Sequence, residues 1–205
     1  MTVYDTLLAP CKGELIEKRS RFLAQAVPVQ EEGQAREIIA VVRKRNFDAR
    51  HVAYAYILPD GTARSSDDGE PAGTAGRPIL DVLQKRQLRG VLVTVTRWFG
   101  GILLGAGGLV RAYSGAAAAA LANGKPARVR PLTRVSVKLG YAEADRLRLP
   151  SHTRVEETLY TEEVTFILIT PAELAESLVA QVTEQTLGRA IVRIEEAGMA
   201  PFEEE

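Results

Sequence analysis

Along this chain, stretches whose apolar residues recur every second position trade off with stretches where they recur every third or fourth. Gly13–Lys18 and Arg21–Val29 are β-prone, and Arg19-Ser20 between them predicts a hairpin. From Gly33 to Asn46 the apolar positions Ala35, Ile38, Ile39 and Val42 fall on one helical face. Arg43-Lys44-Arg45 then opposes the negative end of that helix's dipole. His51–Leu58 reads as a strand, and Pro59-Asp60-Gly61 as a turn. A polar loop follows from Ser65 to Gly73, and Thr74 is placed to cap a helix reaching Gln87. Val91–Thr96 is almost wholly β-branched, as expected of a strand central in its sheet. A helix is predicted from about Gly108 to Ala122, stopped by Asn123-Gly124. Its Ala116–Ala120 run gives it a thin face that can lie close against a sheet.

Pro126–Pro131 reads as the end of a first domain, residues 1–131. The remainder, 134–205, has its own rhythm. Arg134–Tyr141 is a strand, Ala142–Leu149 a short helix, and Arg154–Tyr160 with Glu163–Ile169 a pair of strands. A helix runs from Pro171 to Thr186, and Arg189–Glu195 is a last strand before a frayed tail, 201–205. The order βαββαβ is the ferredoxin-like split pattern, so the fold class is α+β with two domains.

Composition adds a contrast between these halves. The 205 residues are 46% hydrophobic and 25% charged, as in ordinary globular proteins. Residues 1–133 hold 19 basic and 12 acidic side chains, and the rest hold 7 and 14. A basic half is suited to face phosphates; the two halves are equally suited to attract each other. No apolar run reaches the ~18–20 residues of a membrane span. The N-terminus lacks the marks of a signal peptide, and Cys11 is the single cysteine. A cytoplasmic protein without membrane contact is expected.

The most unusual stretch lies between Arg97 and Arg111. It follows a strand, opens a helix, and carries Gly100, Gly101, Gly105, Gly107 and Gly108. Successive amides at a helix start form a nest for anions. Arg97 and Arg111 add guanidinium donors, and Trp98 and Phe99 add flat faces suited to stacking a base. These are the expected anion- or nucleic-acid-binding residues; the competing reading is a tight turn with aromatic residues in the core. Neither dinucleotide nor P-loop templates fit, since Val110 occupies a required glycine position and Gly124-Lys125 is followed by Pro126.

Asp67, Asp68 and Glu70 form an acidic turn. Such carboxylates could hold magnesium, but pairing with Arg77 or Arg97 is preferred and no metal is expected. His51 and His152 stand in different domains, no zinc spacing exists, and Ser114 is not in a nucleophile elbow. His51 is read as structural, and Tyr54 and Tyr56, on one strand face, as core. No catalytic residue and no cofactor are assigned.

The chain resembles the IMPACT family, in particular its bacterial YigZ branch. The resemblance rests on Val95–Gly101 with Leu104–Tyr113, on Asp67–Pro78, and on the shorter Lys18–Phe22 and Ala49–His51. Trp98 and Ala72 are mild departures. It implies an N-terminal domain like ribosomal protein S5 domain 2 and a ferredoxin-like C-terminal domain, a pair also found in elongation factor G. It also implies contact with RNA or the ribosome, or with a protein partner of the translation machinery, in regulating translation. Eukaryotic members look like translational stress regulators that bind a partner protein through a family architecture with an extra N-terminal domain. That domain is not seen in this sequence, so the partner is not carried over. The motif positions Asp67, Asp68, Glu70, Arg77, His51 and Arg21 are expected to support the loop. A binding protein rather than an enzyme is favoured. The alternatives are a small-molecule enzyme that uses the glycine loop for phosphate, and a protein-interaction module.

Overall fold

A computed structural model describes residues 2–203, apart from the side chain of Glu196. The chain divides into two compact units, Tyr4–Arg128 and Val129–Phe202.

The first unit is built on a sheet of β2 (Cys11–Glu17), β3 (Ser20–Pro28), β6 (Val91–Trp98), β4 (His51–Ile57) and β5 (Ala63–Ser66), in that spatial order. A short β1, Tyr4–Leu7, precedes them. β6 is central, pairing antiparallel with β3 on one side and β4 on the other. Both faces of β6 are covered, which is why its sequence is a continuous β-branched and apolar run. Val91, Val93 and Val95 join Phe22, Ala24, Ala53 and Ala55 beneath α2 (Gly76–Lys85) and α3 (Ala106–Ala122). On the other face, Leu92 and Tyr56 meet Ala35 and Ile39 of α1, Glu32–Arg45. Tyr54 and Tyr56 stack at 6.4 Å on that face.

The thin alanine face of α3 lies where the sequence places it. A Cβ built on Gly13 of β2 would stand 2.3 Å from the Ala120 nitrogen, so only glycine lets helix and strand approach this closely. The first hairpin turns at Lys18-Arg19, one residue earlier than expected, and both residues have positive φ (44° and 64°). This is the two-residue turn whose twist matches paired strands. β1 and β5 were not anticipated: each is four residues long, too short for alternation to show.

In the second unit the elements follow the order β7 (Pro126–Leu139), α4 (Tyr141–Ala144), β8 (Arg154–Tyr160), β9 (Val164–Pro171), α5 (Ala175–Gln185) and β10 (Ile191–Glu203). β9 lies between β7 and β8, antiparallel to both, and β10 pairs with the other edge of β7. Val135, Val137, Leu139 and Leu168 pack against Leu178 and Val182 of α5. Pro126–Pro131 forms the start of β7. One expectation is corrected. Pro201–Glu203 is not frayed but ends β10, with Phe202 buried against Leu132 and Ile169. Glu204 and Glu205, the rest of that expected tail, lie outside the described residues.

Candidate functional site

The loop between β6 and α3 forms one wall of a cavity of about 330 Å³. Its lining comes from three places distant in sequence: Arg50 and His51 at the start of β4, Gly69–Pro71 of the acidic turn, and Arg97, Phe99 and Leu103–Ala106. The fold brings these together because β4 and β6 pair with His51 opposite Arg97.

At the floor sits a buried ion pair. Arg97 Nη1 donates to Glu70 Oε1 at 2.6 Å, and the residues are only 5% and 8% exposed. Tyr113 of α3, fully buried, donates its hydroxyl to the same oxygen at 2.8 Å. Burial, then the charge of Glu70, holds the Tyr113 phenol far above its ordinary range, so it remains a donor. His51 Nε2 lies 3.9 Å from Glu70 Oε1. Its Nδ1 donates to the Asp68 carbonyl at 2.7 Å, a bond that fixes the ring. Arg97 also lies over the rings of Phe22 and Phe99, at 5.5 and 5.6 Å.

The acidic turn directs its carboxylates apart. Asp67 accepts the amides of Gly73, Ala75 and Gly76 at 2.8–2.9 Å and so closes the start of α2. Partial burial pushes its carboxyl up, but the three amides outweigh this and leave it below the ordinary value. Asp68 pairs with Arg43 and accepts the Val52 amide at 2.7 Å. Glu70 faces the cavity floor. Arg77 does not join them; it pairs with Asp81 one turn along α2, at 2.8 Å on the surface.

The glycine loop is organised differently. A Cβ on Gly100 would stand 2.0 Å from the Arg19 carbonyl carbon, so this glycine is required by the hairpin turn packed against it. The Gly100 amide donates to Ser20 Oγ at 3.1 Å. Gly101 and Gly105 have positive φ and open space around them. Gly105 precedes α3, no side chain caps that helix, and the first helical bond runs from the Leu109 amide to the Gly105 carbonyl. The amides of Ala106, Gly107 and Gly108 therefore have no partner within the helix. Arg111, exposed, reaches back so that its Nη1 is 3.6 Å from where a Gly107 Cβ would stand. Gly108 is crowded by Leu104 instead, with a Cβ position 2.9 Å away.

The expected site residues thus separate into three groups. Gly105, Gly107 and Arg111 surround the open helix start. Arg97, Glu70 and His51 form the floor, so Arg97 is not the outward cation that its position beside the loop suggested. Arg21 and Trp98 stand outside the cavity lining: Arg21 is held by Glu14 in two 2.9 Å bonds and lies 5.0 Å over the Trp98 ring, while Trp98 Nε1 donates to Asp48 at 3.0 Å. Three contributors were missed. Tyr113 was legible as an inward position, four residues after Leu109 and three before Ala116. Arg50 is exposed at the rim, 5.7 Å over Phe99. Leu103 is 82% exposed, and nothing in its local pattern distinguishes it from a core leucine.

Comparisons with known proteins converge on one family. Residues 18–121 match the Impact N-terminal domain. The chain is 42% identical to a Thermus thermophilus IMPACT family member over 76% of its length and 87% of that relative's. It is 44% identical to the Bacillus subtilis member YvyE over 54% of the chain, and the match spans only 52% of YvyE. The Escherichia coli member YigZ is 39% identical over 60% of the chain and 63% of its own length. The crystal structure of a hypothetical protein, 29% identical, superposes with a TM-score of 0.62 over 94% of this chain and 97% of that one. The matched segment contains every residue of the cavity lining. The chain belongs to the IMPACT family.

Proposed function

We propose that this protein is a non-enzymatic binding module of the translation machinery that holds an RNA segment at the cavity between β4, β6 and the start of α3. One observation carries the reading: an uncapped helix start lined by glycine, with Arg50 and Arg111 exposed beside it and no ion pair at either among the described residues. Partial positive charge on free amides and two unpaired guanidiniums suit a phosphate backbone. Phe99 and Leu103, both exposed, suit the apolar parts of a nucleotide. The first unit is taken as S5 domain 2-like and the second as ferredoxin-like; the latter is supported by the run β7-β9-β8 with β10 paired to β7 and by the βαββαβ sequence of elements. No helix among the described residues is long and apolar enough to cross a membrane. The reading places the protein in the cytoplasm.

The test is co-sedimentation with ribosomes and anisotropy with labelled RNA at two salt concentrations. Three phosphate contacts predict about twentyfold weaker binding of single-stranded RNA on raising salt from about 50 to about 200 mM. Arg50→Ala with Arg111→Ala should weaken binding at both. Absence of binding to RNA and ribosomes at the lower salt would sink the proposal. The buried Glu70–Arg97–Tyr113 cluster favours a second reading, a small phosphorylated ligand held for chemistry. Thermal stabilisation by free nucleotides with magnesium, without RNA binding, is the result that would select it.

A further inference from the structure

The floor of the cavity holds more hydrogen-bonding capacity than the protein uses. Arg97 is 95% buried by its 5% exposure, yet its Nε is buried without a partner. Its one side-chain hydrogen bond among the described residues, from Nη1, ends on Glu70 Oε1. That oxygen also takes the Tyr113 hydroxyl, while Glu70 Oε2 accepts nothing among the described residues. A buried donor left open costs free energy unless something outside the chain completes it. Above this polar floor the walls are apolar: Phe99, Leu103, Leu104 and Leu109. The opening passes Gly105 and Ala106 at the uncapped start of α3, with Arg50 on the rim.

A phosphate alone does not match this arrangement. Its charge is served at the helix start and by the arginines, but a carboxylate at the floor and leucines on the walls would repel it. A flat, mostly apolar group with donors and acceptors along one edge, tethered to an anion, does match. At about 330 Å³ the cavity is also at the lower end of the range for small-molecule sites, room for one ring system rather than a folded peptide. Resting on the RNA-binding reading above, we propose that this cavity receives one unstacked base of a single-stranded RNA, its edge toward Glu70 and Arg97, a face against Phe99, and its phosphate at the amides of Ala106–Gly108 beside Arg111. The site selects unpaired RNA, because a base within a duplex cannot leave its stack without cost.

The experiment measures anisotropy of the full chain with three labelled probes: a single-stranded RNA of about twelve nucleotides, the same strand in duplex, and the same strand with its central nucleotides abasic. The single strand is expected to bind about tenfold tighter than either other probe, the contribution typical of one stacked base. Phe99→Ala should lower affinity for the single strand about tenfold and leave the duplex and abasic probes unchanged. Arg111→Ala should weaken all three probes alike, by about threefold. Equal affinities for the three probes would overturn the base-binding proposal while leaving RNA binding intact, and this arm needs no variant. Failure of every probe to bind at low salt would overturn both readings. Selection of the single strand that is indifferent to Phe99→Ala and to Glu70→Gln would place recognition elsewhere on the protein and overturn this site.

Discussion

The acidic turn at residues 67–70 and the glycine loop at residues 99–108 lie on the same cavity, yet they use their polar groups in opposite ways. In the acidic turn each carboxylate has partners within the chain: Asp67 three amides, Asp68 the Arg43 side chain and the Val52 amide, Glu70 Arg97 and Tyr113 through one oxygen. In the glycine loop the Gly100 amide is committed to Ser20, while the helix start beyond it has no side-chain cap. A dense cluster of charged motif residues can therefore be scaffolding, while the residues with no side chain face the ligand. Substitutions at Asp67 and Asp68 should act on stability and those at the open helix start on binding, while Glu70 at the cavity floor bears on both.

The largest effect is expected at the floor. Glu70→Ala leaves a buried guanidinium unpaired and should cost about 3–5 kcal/mol in denaturant unfolding. Joint replacement of Glu70 by Leu and Arg97 by Met removes both charges and should recover most of that loss. If the single and double variants are equally unstable, the ion pair is not what holds the floor. Gly100→Ala comes next. Its added methyl meets backbone rather than a flexible side chain, and the expected loss is about 2–3 kcal/mol. This glycine belongs to the loop in sequence but to the scaffold in function, so it sharpens the comparison.

Asp67→Asn should cost about 1–2 kcal/mol, the range of a charged helix-start acceptor. The same carboxylate predicts a pH dependence. Its folded-state value lies below the ordinary one of about 3.9, so its contribution is complete above about pH 5. It is lost as the pH falls through that value and past the lower folded one. Stability measured between about pH 5 and pH 3 should fall less steeply in Asp67→Asn than in the unmodified protein. The smallest stability effect is expected for Arg111→Ala, within about 0.5 kcal/mol, although RNA affinity drops. A large stability loss there would erase the proposed division between the two regions.

Much of this was legible in the sequence, and the failures have physical causes. β6 announces itself as central because both its faces are covered, so no polar alternation interrupts it. The same period of two places Arg97 in line with Val91, Val93 and Val95, on the face beneath the helices. Its burial could thus be read from register, but its partner could not: Glu70 lies 27 residues away, across the intervening α2. The open helix start was visible as a run of glycines after a strand. The cavity was not, since Arg50 and His51 reach it only through the pairing of β4 with β6. Pro126 and Pro131 read as punctuation between elements, yet they stand within β7, a strand too long and too irregular in pattern to be recognised from its first residues.

Backbone amide NMR during titration with single-stranded RNA tests the central claim most directly. The account predicts that the largest shifts fall on Ala106, Gly107 and Gly108, with smaller ones at Phe99 and Arg50, and that Arg111→Ala reduces them. Saturable RNA binding that leaves these amides unmoved, with the shifts gathered on the strands of the second unit, would contradict it.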